Sequence, residues 1–535
     1  MKRFLLTLLA SAFLLTAGAQ TLLPIRDSIG KLSISVDPRM ELLGTVFLLA
    51  DYKFHIQGVP YCDRVQAYFS PFADAGAVKF ARGMWRYNMS LGWLAGQMLA
   101  YSDLPDMKRR YPYFNMMNKA HPKDLRHYNT LLKRFAEKSR FSNFWTDNEL
   151  FYRQVIAWCK NQVGDIDVVG LLESYFNMKQ ESYDIVLCPL FGYNSFGPRL
   201  PGSDGLLKIY ALISVPQNLG GIVADGGFDL SGLLFHEFGH SFVNPFTEQY
   251  ADLVAQSSDR FEPIRDKMKP QSYWTWDACV SEHIVRAVGV RLAEITGGPA
   301  VAENSLRYEE GRYFGYIRPL VEKLREYEAL RDSTGISFGE YVPELLKVFN
   351  EAELYKPVFP GSVNAVLSGD VIYVYPTAGD EAPGSTEYVR WLVDQVKMRG
   401  PSWKSVRLVA DSVAVKMPLD SCNIVCYGTV ESNLLLAKYR SKLPFQAEPG
   451  AIIADRRYDD PGVRLIACVP NPENPELGMA VYTAIDERRI IDINNVFHGP
   501  DDFCIFTDRD HILSRGYFEK RGTEWHFPQP KPSAD

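Results

Sequence analysis

The stretch His236-Glu237-Phe238-Gly239-His240 places two imidazoles and a carboxylate within five consecutive residues. On a helix, residues four apart lie one above the other on the same face, so His236 and His240 can bind one metal ion together. Glu237 lies about 100° further round the helix, where its carboxylate can reach a water molecule beside that metal without binding the metal itself. The pattern therefore predicts a helix that carries two zinc ligands, His236 and His240, and a general base, Glu237.

Residues on either side of this motif predict a single internal helix. Ser231 or Asp229 can cap its start, and the pair Asn244-Pro245 predicts its end, because the residue before a proline avoids the α region. We therefore expect a helix over residues 229–243. Three aromatic residues recur at helical spacing on the face opposite the histidines: Phe235, Phe238 and Phe242. Such a helix is expected to be buried on its aromatic side and to present its imidazoles to a cleft.

A third protein ligand is needed, because a catalytic zinc site has three protein ligands and an open position for water. The longer motif that adds a third histidine is excluded, since Val243 and Phe246 occupy its glycine and histidine positions. Glu282 is the strongest candidate, on a second helix predicted over residues 272–295. The apolar stripe of that helix is on its other side and consists of Val280, Ile284, Val288 and Leu292. We therefore expect Glu282 to complete the site from a neighbouring helix.

A carboxylate on so apolar a helix needs a cation, and two cations are open to it. Zinc is one, and Arg286, which lies one helical turn further along, is the other. His283 is an alternative third ligand, although a histidine at this position can equally be a packing residue. Glu248 is a further alternative, but it follows the predicted helix end at Pro245 and would need a tight return of the chain.

The first motif, followed by a glutamate on the next helix, resembles the gluzincin clan of zinc peptidases. More narrowly, the stretches HEFGHSFVNP (236–245) and SEHIVRA (281–287) resemble an uncharacterised family of secreted bacterial proteins that is placed in that clan as a domain of unknown function. Residues 40–43 and 193–198 are similar to the same family. The resemblance covers residues 35–355.

This resemblance implies a zincin-like fold with a bound zinc ion. A later tyrosine of the family corresponds to Tyr316, which the resemblance implies as a hydrogen-bond donor to the oxyanion. A packing role for Tyr316 is an equally open interpretation, because other tyrosines lie close by in the sequence. The resemblance implies His236, His240 and Glu282 as the zinc ligands. It implies Glu237 as the general base.

The first 19 residues have the pattern of a secretory signal peptide. Lys2-Arg3 precede an apolar run over residues 4–15, and Ala17-Gly18-Ala19 offers a small-residue cleavage site. The run is too short for a lasting membrane anchor. We therefore expect export, either to the periplasm or out of the cell, after cleavage near Ala19.

The composition of the chain restricts its partners. The 535 residues include 58 Lys and Arg against 64 Asp and Glu, a formal charge of −6 that becomes −8 once Lys2 and Arg3 are removed. An acidic chain is not expected to bind nucleic acid or to adhere to anionic membranes, and no second apolar run is long enough for stable insertion into a bilayer. The eight cysteines lack the paired spacing of a zinc ribbon, so a cysteine-ligated metal is not indicated.

The hydrophobic pattern changes near residue 357. Before it, helical periodicity dominates, with a helix predicted over residues 303–331 and one strand predicted over 207–215. The open edge of this strand could hold an extended peptide, and a fully buried strand with no substrate role is equally compatible with the sequence. After it, short strands alternate with helices. We therefore expect an α+β chain, in which a mainly helical zincin-like domain over residues 20–357 precedes a smaller α/β domain over 358–535.

These observations predict an exported zinc-dependent hydrolase. Its most direct form is a peptidase that cleaves amide bonds of a peptide or protein substrate, with Glu237 as the base that assists the attacking water. The alternative is a peptidase-derived protein that binds a peptide or a glycan without turnover. A third interpretation is a surface or assembly protein in which the motif is incidental.

Overall fold

The computed structural model describes residues 21–50, 60–87, 89–112, 121–192, 194–215, 230–352, 359–367, 370–378, 382–398, 406–496, 498, 501–521 and 524–528. The predicted signal peptide and Asp229 lie outside the described residues. The chain divides into two compact units, of which the first comprises residues 1–165 and 180–224 and the second residues 166–179 and 225–535. Helices and sheets occur in both units, so the chain is mixed α and β. Residue 357 lies within the second unit, and the predicted domain limits stay a prediction.

The first unit is built on a five-stranded sheet in the order β1-β2-β3-β5-β4. Strands β2, β3 and β5 are parallel, and β1 and β4 are antiparallel to their neighbours. Ile34, Ile185 and Ala211 pair in register across the parallel strands and are fully buried. The strands are β1 (Ile25–Ile29), β2 (Leu32–Val36), β3 (Ser182–Cys188), β4 (Arg199–Pro201) and β5 (Leu207–Ser214). The helices are α1 (Pro38–Leu49), α2 (Pro60–Phe69), α3 (Gly76–Arg82), α4 (Leu91–Leu99), α5 (Pro122–Lys138), α6 (Phe141–Asp147) and α7 (Glu149–Val163).

The strand predicted over residues 207–215 is present as β5, but its outer edge is occupied. Leu200 of β4 pairs with Lys208, and Phe196 exchanges two backbone hydrogen bonds of 2.9 and 2.8 Å with Leu212. The prediction of a free edge for an extended peptide is therefore wrong. The partner segment is too short to show a strand period in the sequence, so only the pairing itself reveals it.

Glu41 on α1 is buried beside two tyrosines. The residue is 1% exposed, Tyr61 of α2 donates a hydrogen bond to its carboxylate, and the Tyr61 hydroxyl lies 2.8 Å from the hydroxyl of Tyr152 on α7. Among the described residues, no cation forms an ion pair with Glu41. Burial raises the pKa of Glu41 to about 8, and the hydrogen bond from Tyr61 offsets only part of this rise. The side chain is therefore held mainly in its neutral form near neutral pH.

We expect the first unit of the wild-type protein to lose stability as the pH rises, and we expect Glu41→Gln to abolish this pH dependence. A carboxyl group whose pKa is raised from 4.5 to about 8 on folding stabilises the fold fully below pH 4.5, and this contribution is lost as the pH approaches 8. The free energy of unfolding of wild type should thus fall by on the order of 4 kcal/mol over this range, relative to the variant. Hydrogen exchange of the α1 amides between about pH 5 and about pH 8, corrected for intrinsic exchange rates, measures the difference. Glu149→Gln, at a half-exposed glutamate of α7, is the control, and an unchanged pH dependence in Glu41→Gln contradicts the prediction.

The second unit begins with helices and continues into a strand-rich part. Its helices are α8 (Val168–Phe176), α9 (Leu230–Gln249), α10 (Ala251–Ala255), α11 (Arg265–Met268), α12 (Trp276–Gly297), α13 (Pro299–Gly311), α14 (Ile317–Thr334), α15 (Phe338–Leu346), α16 (Val348–Glu351), α17 (Val363–Leu367), α18 (Ala382–Met398), α19 (Asp411–Ala414) and α20 (Leu434–Tyr439). Its strands are β6 (Val371–Tyr375), β7 (Val406–Ala410), β8 (Asn423–Tyr427), β9 (Gln446–Glu448), β10 (Ala451–Ile453), β11 (Arg457–Tyr458), β12 (Arg464–Asn471), β13 (Asn474–Ala484), β14 (Phe503–Asp508), β15 (His511–Gly516), β16 (Glu519–Arg521) and β17 (Glu524–His526).

A seven-stranded sheet organises the strand-rich part, in the order β15-β14-β12-β13-β8-β6-β7. The four strands β7, β6, β8 and β13 are parallel, whereas β12, β14 and β15 pair antiparallel. The expectation of an α/β arrangement with a partly parallel sheet after residue 358 is therefore met. Among the described helices of the chain, none is both long enough and apolar enough to cross a bilayer. All eight cysteines lie in the described residues, where they are buried and form no disulfide.

The helix predicted over residues 303–331 is interrupted. It is present as two helices, α13 and α14, separated by residues 312–316. Tyr313 has a φ of 64°, in the left-handed region that a right-handed helix does not contain. The N–H of Phe314 donates to the carbonyl of Glu309 (3.1 Å), so α13 closes in a turn, and Phe314 and Tyr316 are fully buried beyond it. The prediction of one helix is wrong. The apolar residues keep their helical spacing through residues 312–316, but there they belong to a turn that buries Phe314 and Tyr316.

Candidate metal centre

Helix α9 carries the two histidines on its more exposed side and an aromatic face on its buried side. The side chains of His236 and His240 are 23% and 18% exposed. Phe242 stacks on Phe176 of α8, with ring centres 4.4 Å apart and planes only 3° from parallel. The buried residues of the aromatic face are Phe235, Phe238 and Phe242. The prediction of an aromatic back behind two accessible imidazoles is confirmed.

The predicted end of this helix at Asn244-Pro245 is wrong. Proline 245 lies inside α9, which continues to Gln249. A proline removes only its own N–H donor and strains one turn, and packing can compensate for that loss. Thr247 helps to hold the last turn, because its hydroxyl donates to the carbonyl of Asn244 (3.1 Å) and lies 2.7 Å from the Ser281 hydroxyl of α12. The Phe246 ring also occupies the space where a side chain at Gly339 of α15 would lie.

The three predicted metal ligands converge on one point. The Nε2 atoms of His236 and His240 are 3.2 Å apart, and they lie 3.4 and 3.5 Å from the Oε1 and Oε2 atoms of Glu282, respectively. A tetrahedral zinc ion with bonds of about 2.0 Å separates its ligand atoms by about 3.3 Å. Among the described His, Cys, Asp and Glu residues, these three form the group that could hold a metal ion. The donor set of two imidazoles and one carboxylate therefore fits zinc in both chemistry and spacing.

Glu282 pairs with Arg286, one of the two cations that its sequence context left open, and its carboxylate also lies beside both imidazoles. Arg286, one turn along α12, places Nη2 2.6 Å from Oε1 of Glu282, and the Tyr273 hydroxyl donates to the same oxygen at 2.7 Å. The other oxygen, Oε2, faces His240. Arg286 also binds Glu309 of α13, with Nη1 2.8 and 2.7 Å from the two carboxylate oxygens. Arg286 thus holds Glu282 in place through Oε1 and leaves Oε2 for a metal ion.

The electrostatics of the group match the protonation states that zinc requires. Burial raises the pKa of Glu282, but Arg286 and the two imidazoles lower it by more, so the pKa lies well below its usual range and the carboxylate is charged. Burial lowers the pKa of His236 to about 3, despite the opposing charge of Glu282, so this imidazole is neutral. A charged carboxylate and a neutral imidazole are the forms that bind a metal ion.

Asn244 orients the ring of His240. Its Oδ1 atom lies 3.3 Å from Nδ1 of His240, at a distance suited to a hydrogen bond donated by a protonated Nδ1. That tautomer leaves the lone pair on Nε2, the atom that faces His236 and Glu282. A hydrogen bond to the ring nitrogen that does not bind the metal fixes both the tautomer and the direction of a ligating histidine.

Glu237, the predicted general base, is 6% exposed. Burial raises its pKa to about 8, and the negative charge of Glu282 adds to the rise. The two carboxylates are therefore within electrostatic reach of each other. A cation bound between the histidines and Glu282 would lower the pKa of Glu237, because an opposite charge favours the ionised form.

The remaining predicted residues lie apart from this group. Tyr316 is fully buried, with its ring centre 5.2 Å from that of Phe349 and 5.6 Å from that of His283, and its hydroxyl has no hydrogen-bond partner among the described residues. Its predicted contact with an oxyanion stays a prediction. His283 is equally buried, and its Nδ1 lies 2.7 Å from the Cys279 carbonyl. Glu248 is exposed on the last turn of α9, about 12 Å along the axis from His240.

Sequence reasoning missed three residues of the site, Asn244, Tyr273 and Glu309. Asn244 lies four residues after His240, a spacing that could have indicated their contact. Tyr273 precedes α12, where the start of a helix could have suggested a side chain folded back onto the first turns. Glu309 lies on α13, and its pairing with Arg286 follows no local spacing. The Glu309 contact depends on how two separate helices pack, which a pattern within one helix does not encode.

Comparison with known proteins adds a family match for part of the chain. Residues 102–348, which include α9 and α12, match the family described as a domain of unknown function (DUF4932). The match covers less than half of the chain, and its description assigns no activity. The resemblance to an uncharacterised family is confirmed in this form, whereas membership of the gluzincin clan stays a prediction. No match was found among curated proteins or among solved structures.

Proposed function

We propose that this protein is a zinc-dependent hydrolase, and that it acts as a peptidase on amide bonds of peptides or proteins. The observation that carries the proposal is the spacing of 3.2–3.5 Å among Nε2 of His236, Nε2 of His240 and the carboxylate of Glu282. Three protein ligands leave a fourth position open, which is the arrangement of catalytic rather than structural zinc sites. The partial exposure of both imidazoles is consistent with access for a substrate.

The chemistry assigns a distinct task to each residue. His236, His240 and Glu282 would hold the ion, which when bound supplies Lewis acidity that polarises a carbonyl group and activates water near neutral pH. The Glu237 carboxylate accepts a proton as the water oxygen bonds to the carbonyl carbon. The same carboxyl group then donates that proton to the amide nitrogen as the carbon–nitrogen bond breaks. Water is consumed, and a carboxylate and an amine are released.

A non-catalytic binding protein for a peptide or a glycan is the second candidate, and one observation favours it. The ring of Tyr316, whose hydroxyl the family resemblance suggested as a donor to the oxyanion, packs against the rings of Trp276, His283 and Phe349, and the hydroxyl is buried. The Tyr273 hydroxyl is engaged with Glu282. A protein that kept the metal ligands but lacked such a donor would bind a substrate without rapid turnover.

We also propose export of the mature chain after cleavage near Ala19. The support is the charged, apolar and small-residue pattern of residues 1–19. A peptide or protein substrate outside the cytoplasm is consistent with this location.

The experiment that tests the proposed function combines metal analysis with hydrolysis. The purified mature protein should contain about one zinc ion per chain and should cleave members of a mixed peptide library. Removal of zinc by 1,10-phenanthroline should abolish cleavage, and added zinc should restore it. A zinc-loaded protein that cleaves nothing in the library supports the binding protein instead. A folded protein that takes up no zinc contradicts both.

A further inference from the structure

Arg312 is a half-buried arginine without a carboxylate partner among the described residues. Its Nε atom donates to Oε1 of Gln271 at 3.1 Å, and its two terminal amino groups have no acceptor in the described part of the chain. Buried and half-buried arginines on the neighbouring helices differ in this respect. Those that pair with glutamates are Arg286, Arg291, Arg307 and Arg318. A guanidinium that is held in place but unpaired can bind a carboxylate with both terminal groups.

The contacts of Arg312 fix its position. Gln271 returns a hydrogen bond from Nε2 to the Arg312 carbonyl (2.8 Å), so the two residues are joined twice. The guanidinium lies over the rings of Tyr308 and Phe314, at 5.6 and 5.7 Å from the ring centres. These contacts restrict the side chain before any ligand arrives, so little rotational freedom is lost on binding.

The same contacts link Arg312 to the metal group. The Phe314 ring lies under both Arg312 and Arg286, the latter at 4.4 Å, and Arg286 is paired with Glu282. Gln271 precedes Tyr273 by two residues, and the Tyr273 hydroxyl donates to Glu282. Arg312 therefore contacts the same ring as the arginine that holds Glu282.

The carboxylates of the group are already occupied, so Arg312 is available to an incoming anion. Glu282 is bound to Arg286 and Tyr273, and Glu309 is bound to Arg286. Lys267 adds a second positive charge nearby, with its Nζ 4.6 Å from the centre of the Tyr313 ring. Arg312 and Lys267 thus place two positive charges around Tyr313, although the whole chain is acidic.

We propose that Arg312 binds a carboxylate of the substrate, so that the preferred substrates are peptides with a free C-terminal carboxylate one or two residues beyond the cleaved bond. This inference rests on the proposed function, because it names the substrate class of the same site. Arg312 acts as a specificity-determining residue. It contributes a charge-assisted, two-point contact, and it does not take part in the transfer of protons.

Matched thiol probes test the inference on the zinc-loaded mature protein. The probes are N-mercaptoacetyl-phenylalanine and N-mercaptoacetyl-alanyl-phenylalanine, each as the free acid and as the C-terminal amide. The thiolate binds zinc, and the terminal group reports on Arg312. Isothermal titration calorimetry should show that at least one acid binds wild type about 10- to 100-fold more tightly than its amide.

Substitution of Arg312 should remove this preference selectively. In Arg312→Gln the acid and the amide should bind equally, with the affinity for the amide unchanged from wild type. Arg312→Lys should retain part of the preference, because a point charge replaces a planar fork. Arg307→Gln removes a positive charge from α13 beside Glu303 and should keep the full preference.

Three results would overturn the inference. The first is that wild type binds each acid no better than its amide, and the second is that Arg312→Gln keeps the preference of wild type. In both cases the metal site remains, and only the role of Arg312 fails. If no thiol binds and the protein holds no zinc, the proposed function itself fails and this inference fails with it.

Discussion

Glu282→Ala is expected to lower the zinc content from about one ion per chain to about none, while the chain stays folded. The substitution leaves only the imidazoles of His236 and His240, and two protein ligands do not form a stable zinc site. His240→Ala should have the same effect, because it leaves one imidazole and one carboxylate. Elemental analysis after gel filtration, at equal protein concentration, measures the result.

The fold is expected to survive Glu282→Ala because Arg286 keeps a partner. Its Nη1 atom remains within 2.8 Å of Glu309, so no unpaired charge is left buried. The matched control is Glu294→Ala on the same helix, at a glutamate that pairs with Arg291 and Arg325 and lies about 18 Å along the axis from Glu282. The control should retain its zinc. A folded Glu282→Ala protein with the zinc content of wild type would falsify the assignment of the third ligand.

Glu237→Gln is expected to retain zinc and to lose about 10²- to 10⁴-fold in kcat/KM for a peptide that the wild type cleaves. Glutamine has the size of glutamate but cannot accept the proton of the attacking water. The ligands are untouched, and burial already disfavours the charge of Glu237, so the substitution should not weaken the fold.

The controls for Glu237→Gln separate catalysis from binding. Zinc content and the affinity for an amide thiol probe should equal those of wild type. Glu248→Gln changes an exposed glutamate on the last turn of the same helix and should leave kcat/KM within about twofold of wild type. Cleavage by Glu237→Gln at the rate of wild type would exclude Glu237 as the general base.

Local periodicity was sufficient for the core of the candidate site. The spacing of His236 and His240 predicts a shared face, and the structure places their Nε2 atoms 3.2 Å apart. The apolar stripe on α12 predicts that Glu282 lies on the opposite side, and its carboxylate is found beside both imidazoles. These inferences succeed because the direction of a side chain on a helix depends only on its position in the 3.6-residue repeat.

Boundaries set by packing were not predicted. The expected stop at Pro245 fails because contacts of Phe246 and Thr247 hold the last turn of α9. The break at residues 312–316 is absent from the prediction because apolar spacing continues across it. The short strand β4 covers the edge of β5, which the sequence left open. In the first two cases contacts with distant segments outweigh a local preference of the backbone, whereas β4 reaches β5 across a short connection.

The order of segments along the chain also differs from their grouping in space. Residues 166–179 belong to the second unit, although they lie between two parts of the first. Phe176 shows the reason, because its ring stacks on Phe242 across 66 positions of sequence. The hydrophobic periodicity of one helix shows which of its faces is buried. It does not show which distant segment packs against that face.

By itself, the sequence determined the mixed helix and strand content, the HExxH helix with its aromatic back and its two histidines, and Glu282 as the first of three candidates for a third ligand. Only the tertiary structure decided that Arg286, Tyr273 and Glu309 hold Glu282 in place, and that Arg312 remains unpaired beside them. The physical reason is that side-chain direction follows from the repeat of one helix, whereas charge pairing depends on which helices are brought together by burial of their apolar faces.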